Sequence, residues 1–181
     1  RDHCVTGVQT CALPISHLAG VGDADGDGLD DFLVGAPGVD TNGSGSGAAY
    51  LVVAGEDDLD LSGAYATLLG ADAGDAVSAV AGGDLDGDGF ADLFVGASEV
   101  GSSVGAAYLV RGPAVGTLDL AAADTTLVGE SLGDKAGGAV ALGDFDADGV
   151  GDLVVAGTGD DDGGSAAGAV WAVYVPASAG I

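Results

Sequence analysis

An acidic nonapeptide recurs three times along this chain: Asp23-Ala-Asp-Gly-Asp-Gly-Leu-Asp-Asp31, Asp84-Leu-Asp-Gly-Asp-Gly-Phe-Ala-Asp92 and Asp144-Phe-Asp-Ala-Asp-Gly-Val-Gly-Asp152. The copies begin 61 and 60 residues apart. Each is followed at once by an apolar run: Phe32-Leu-Val-Gly35, Leu93-Phe-Val-Gly96 or Leu153-Val-Val-Ala156. A second run opens farther on, at Gly47-Ala-Ala-Tyr50, Gly105-Ala-Ala-Tyr108 and Gly168-Ala-Val-Trp171. The spacer repeats too, since Ala66-Thr-Leu-Leu-Gly70 matches Thr125-Thr-Leu-Val-Gly129. A chain so self-similar folds as an array of like units, each burying its apolar surface against the next.

The runs are short, β-branched or aromatic, and bounded by Gly, Asp, Ser or Pro, which is the pattern of strands. No stretch keeps helical apolar spacing for a dozen residues with caps. The second unit reads as four strands, over 76–81, 91–96, around Tyr108 and over 126–128. Four strands in each unit predict an all-β fold, a partial β-propeller of about three four-stranded antiparallel blades in an open arc. The blades fall near residues 17–72, 73–133 and 134–181. A β-sandwich also has evenly spaced strands, but it gives no reason for one acidic loop to recur at the same place in every unit. Propellers close with roughly 4–8 blades, so fewer than three complete ones should leave apolar faces and strand edges open. Self-association is the expected result.

Charge narrows the partners. The 29 Asp and Glu residues against three Lys and Arg give a net charge of -26, which repels phosphate backbones and anionic lipid. Nucleic acid is therefore not an expected ligand. The longest apolar runs, Ala48 to Ala54 and Ala169 to Val175, are too short to span a bilayer, and membrane insertion is not expected. With 48% hydrophobic residues, the chain is also no disordered acidic tail.

Within each nonapeptide, Asp at positions 1, 3, 5 and 9 sets four carboxylates on one side of a tight loop, and hard oxygen donors at that density suit Ca2+. The backbone carbonyl of position 7 adds a further donor. The three predicted sites are Asp23, Asp25, Asp27, Leu29 and Asp31; Asp84, Asp86, Asp88, Phe90 and Asp92; and Asp144, Asp146, Asp148, Val150 and Asp152. Gly28, Gly89 and Gly149 at position 6 mark a turn with positive φ, and the apolar side chain at position 7 is expected to turn inward. A solvated acidic turn is the plainer reading, though it needs neither the period-2 register nor the glycine. A helical EF-hand loop does not fit, because its twelfth position needs a bidentate acid and here holds Val34, Val95 or Val155.

The nonapeptide, the apolar strand after it and the following Gly35-Ala36-Pro37 resemble the FG-GAP repeats of integrin alpha-subunit propellers and their bacterial relatives. The second unit keeps Gly96-Ala97 but has Ser98 for Pro, and the third reads Ala156-Gly157-Thr158. The Phe-Gly half of the motif is eroded to Ala76-Val77 and Ala136-Gly137, which favours a bacterial relative over a true integrin. The resemblance implies a calcium loop between the first and second strands of a blade, opposite the loops that usually bind ligands. Those would be Pro37 to Ser46, Ser98 to Val104 and Thr158 to Ala167.

Residues 1–16 share none of this pattern, and Val5 to Ile15 resembles the translation of a sequencing-library adapter. That segment holds both cysteines, Cys4 and Cys11, and is set aside as non-native; a genuine strand with a disulfide is the alternative. Little else could carry chemistry. His3 and His17 are the only histidines, too few for a zinc site or a triad. Asp160-Asp161-Asp162 reads as a solvated loop tip, and Tyr50, Tyr108 and Trp171 as core residues at equivalent strand positions. The expectation is a non-enzymatic, calcium-binding propeller segment of a secreted or cell-surface protein that mediates adhesion or binds protein or glycan. The alternative is an accessory propeller on an extracellular enzyme, such as a polysaccharide-degrading hydrolase or lyase.

Overall fold

The computed structural model describes residues 15–55, 61–165 and 167–177, so Cys4, Cys11 and the question of their disulfide lie outside the described residues. The first sheet is built from β1 (His17–Gly22), β2 (Asp31–Ala36), β3 (Ala48–Val52) and β4 (Ala66–Leu69). The second contains β5 (Val77–Gly83), β6 (Asp92–Ala97) and β7 (Ala106–Val110). Next in the chain come β8 (Gly116–Asp119) and β9 (Thr125–Val128), of which β9 completes the second sheet beside β7. The third sheet is β10 (Ala136–Gly143), β11 (Asp152–Gly157) and β12 (Ala169–Val173). Within each unit, consecutive strands pair antiparallel, as the repeat predicts. The chain is all-β, and its sheets form a partial propeller.

One strand departs from the expected four per blade. β8 leaves its own unit and runs parallel to β4, with Gly116 opposite Ala66 and Asp119 opposite Leu69, so the first sheet has five strands. The third sheet has three among the described residues. β1 packs on β5 and β5 on β10, which sets the first strands of the three sheets side by side.

Face-to-face stacking explains why these strands lack polar alternation. β6 and β7, in the middle sheet, are buried at every residue. Leu33, Leu51, Leu68, Leu93, Val95 and Tyr108 form the core between the first two sheets. Phe94, Leu109, Leu153 and Val155 form the smaller core between the second and third. Each leucine so buried contributes about 1.5–3 kcal/mol relative to exposure. Leu18 on β1, Val170 on β12 and Tyr174 just past β12 lie exposed.

The glycine that closes the second-strand run of the first two units, where the third has Ala156, has a steric cause. A Cβ added to Gly35 would lie 1.8 Å from the Ser78 carbonyl oxygen of the next sheet. At Gly96 it would lie 2.1 Å from the Gly137 carbonyl of the third sheet. The sheets therefore touch backbone to backbone where these glycines stand. Gly35→Ala should cost about 1–3 kcal/mol by overpacking. Gly20→Ala, with nothing within 4 Å of the added Cβ, should be neutral or slightly stabilising. Urea denaturation of the two variants beside the parent checks the contrast.

Candidate metal centres

The three acidic nonapeptides form the hairpins between β1 and β2, β5 and β6, and β10 and β11, all at one end of their sheets. The position-1 carboxylate organises each turn by accepting backbone N–H groups. Asp23 accepts from Gly26 at 2.7 Å and Gly28 at 2.9 Å, and Asp84 from Gly87 at 2.7 Å and Gly89 at 3.0 Å. Asp144 accepts from Asp148 at 3.1 Å and Gly149 at 3.0 Å. Positions 3 and 5 each accept from the residue two farther on, as Asp25 does from Asp27 and Asp27 from Leu29. Gly28, Gly89 and Gly149 have φ of 88°, 93° and 90°, as expected. The sequence reading missed a second left-handed residue at position 4, where Gly26 and Gly87 are replaced in the third loop by Ala147 at φ 62°.

Position 9 does more than supply a donor. Asp31, Asp92 and Asp152 are 2%, 1% and 0% exposed. Each takes one N–H from position 2 of its own loop and one from two residues past the third strand. Asp31 accepts from Ala24 and Ala54, both at 2.8 Å, and Asp92 from Leu85 and Gly112, both at 2.8 Å. Asp152 accepts from Phe145 and Val175, both at 2.9 Å. Burial pushes the Asp92 carboxyl above its ordinary range; the two N–H groups pull it back, and the charges of Asp86 and Asp88 add to the rise. A cation beside it would relieve that charge.

Three groups of carboxylates have oxygen atoms within 4.8 Å of one another: Asp23, Asp25 and Asp27; Asp84, Asp86 and Asp92; Asp144, Asp146 and Asp152. Oxygens on one calcium ion, bonded at roughly 2.3–2.6 Å, stand no farther apart than about twice that length. The all-oxygen donor sets therefore fit a hard divalent cation. The structure does not gather all four predicted acids into any one group. Asp31 stands apart from the first, Asp88 from the second and Asp148 from the third, and one oxygen of Asp148 takes the Ala177 N–H at 2.7 Å.

The expected inward turn at position 7 fails for Leu29, which is 49% exposed. Phe90 instead lies toward the preceding hairpin, where a Cβ on Gly26 would stand 2.9 Å from its ring. Backbone bonds link the hairpins in the same direction, from Ala91 N–H to the Asp23 carbonyl at 3.0 Å and from Gly151 N–H to that of Leu85 at 3.1 Å. The second loop also meets a cation of the chain, since the Arg111 guanidinium reaches Asp86 at 3.3 Å.

At the other end of the sheets, the connections from β2 to β3 and from β6 to β7 are tied to the following sheet. Ala76 and Val77 donate to the carbonyls of Gly45 and Ser46, and Lys135 and Ala136 to those of Ser103 and Val104. Asp160 is not part of a solvated tip. It is 6% exposed, and its carbonyl accepts the Gly168 N–H at 3.0 Å, as Val39 and Val100 do for Gly47 and Gly105. Tyr108 is buried in the core, whereas Tyr50 and Trp171 are half-buried. Among the described residues no helix is long and apolar enough to cross a membrane.

An all-β array with one acidic hairpin per sheet defines the class as a repeat propeller. The FG-GAP repeat model matches residues 18–52 and 76–110, which are β1 to β3 and β5 to β7 with their acidic hairpins. These two stretches are thus FG-GAP repeats. The third sheet keeps the same strand order and hairpin bonds, although that model does not extend to it. No curated protein matches the chain.

Without calcium, Asp92→Ala should cost about 2–3 kcal/mol, because it strands the Leu85 and Gly112 N–H groups. Asp88→Ala, which releases one exposed N–H at Phe90, should cost less than about 1 kcal/mol. Urea titrations in EDTA check this pair.

Proposed function

We propose that this chain is a calcium-stiffened, non-enzymatic propeller segment of a secreted or cell-surface protein that mediates adhesion by binding protein or glycan. The observation that carries this reading is the return of one three-carboxylate cluster at the same hairpin in three successive sheets. Asp23, Asp25 and Asp27, then Asp84, Asp86 and Asp92, then Asp144, Asp146 and Asp152 would each hold one Ca2+. The remaining acids, Asp31, Asp88 and Asp148, and the carbonyls of Leu29, Phe90 and Val150 are the further donors each hairpin offers. Calcium would supply charge neutralisation where like carboxylates crowd together, not a reactive centre. Affinities of roughly 10^-4 to 10^-3 M, typical of extracellular modules, suit a protein outside the cell.

Partners would meet the opposite end, at Pro37 to Ser46, Ser98 to Val104 and Thr158 to Ala167. Supporting this, the three connections differ in sequence while the acidic hairpins keep theirs, which is how a scaffold with adaptable loops is built. Exposed Leu18, Val170 and Tyr174 support self-association through the open faces of the arc.

Calorimetric titration should find three calcium ions per chain, and calcium should raise the melting temperature by binding only the folded state. Asp86→Ala should leave two. Arg111→Gln should tighten the second site by removing a competing cation from Asp86. No calcium heat, together with an unchanged melt in EDTA, would sink the proposal.

A further inference from the structure

In the first sheet, β8 closes the outer edge. The Gly116 N–H donates to the Tyr65 carbonyl at 2.9 Å, and the pairing continues to Asp119 opposite Leu69. Leu118 packs against the apolar core between the first and second sheets, and Leu120, just beyond β8, is fully buried in it. Under this cover, Ala66, Leu68 and Leu69 of β4 are all buried.

β9 is the repeat counterpart of β4, with Thr125-Thr-Leu-Val-Gly129 standing for Ala66-Thr-Leu-Leu-Gly70. Among the described residues no strand pairs with its outer edge. Val128 is 62% exposed where its counterpart Leu69 is 9% exposed. Beside this edge lies a groove of about 280 Å³ whose lining includes Leu127, Ala136, Val155, Trp171 and Val173. By repeat register and strand pairing, these five occupy the places of Leu68, Val77, Val95, Tyr108 and Val110 one sheet earlier. All five of those belong to the core that holds Leu120. The groove is thus a second copy of a socket whose first copy is filled by the two leucines around Asp119.

We propose that the β9 edge binds an extended Gly-Thr-Leu-Asp-Leu segment of the β8 type, as a parallel strand whose two leucines enter the groove. In the second unit that segment follows the third strand, β7, and closes the sheet of the unit before it, so by repetition the β9 edge would be closed by the segment of this kind belonging to the unit after the second. The backbone is suited to this addition. Asp124 stands where Tyr65 presents its carbonyl to β8, and the period of two along a strand turns the backbone groups of Thr126 to the same edge. Main-chain bonds would give affinity and the groove would select for leucine, as in strand addition generally.

The test uses the whole chain and a capped peptide with the sequence of residues 115–121. Trp171 is the only tryptophan of the chain and lines the groove, so its fluorescence reads the site directly. A saturable blue shift is expected on adding the peptide. A peptide carrying Leu118→Asp and Leu120→Asp should bind at least about tenfold more weakly, since two buried leucines are lost. In the protein, Thr126→Pro should weaken binding of the parent peptide at least about tenfold while leaving the melting temperature nearly unchanged, because an edge strand tolerates proline where its N–H faces solvent. An unchanged Trp171 spectrum, or equal binding of the parent and substituted peptides, would overturn the proposal. So would a dimer joined edge to edge at β9 that the peptide does not dissociate.

Discussion

The carboxylates of Asp31, Asp92 and Asp152 each accept two backbone N–H groups from segments far apart in sequence, and the remainder of the repeat depends on that junction. One bond fixes the start of the acidic hairpin, and the other fixes the chain as it leaves the third strand. A charge buried this deeply is tolerable only when hydrogen-bonded or paired. The upward push on Asp92 indicates that two N–H groups do not wholly offset its burial and its acidic neighbours. In the second unit the fold therefore shapes the hairpin from below and leaves a demand for positive charge above it. Fold and proposed calcium binding are in this sense one arrangement.

Contact between sheets follows a second constraint, close backbone approach. Gly35 and Gly96 allow the backbone of the next sheet to lie where a methyl group would otherwise stand. Bonds from Ala91 to Asp23 and from Gly151 to Leu85 join the acidic ends, while bonds such as Val77 to Ser46 join the opposite ends. β8 adds a third tie by crossing from the second unit to the first sheet. A repeat array gains much of its stability from such neighbour terms, so strain in one sheet should be felt by the next.

Much of this was legible in the sequence, because local chemistry decides it. Regular acid spacing with a position-6 glycine specifies a tight hairpin, and short apolar runs between turn residues specify strands. Residues 76–81 were expected as a strand, and β5 runs from Val77 to Gly83. What escaped depends on tertiary contacts. Gly116–Asp119 is short and its apolar residues are few, so only the waiting edge of β4 makes it a strand. Asp160 looks like part of a solvated acidic run, but its backbone closes the loop where Val39 and Val100 do in the other units, and burial follows. The turn at Gly28 predicts Leu29 inside with its carbonyl toward the metal, yet the side chain remains largely exposed. The double bonding of the position-9 aspartates carries no local signal, since one of the two donors lies 23 residues ahead in the first and third units and 20 in the second.

A crystal structure grown in calcium, with an anomalous difference map, bears most directly on the link between these hairpins and a bound cation. The account predicts three calcium peaks, one per hairpin, each bonded at roughly 2.3–2.6 Å to carboxylate oxygens of its own nonapeptide. Hairpins that keep their shape in saturating calcium with no peak among the aspartates would contradict it.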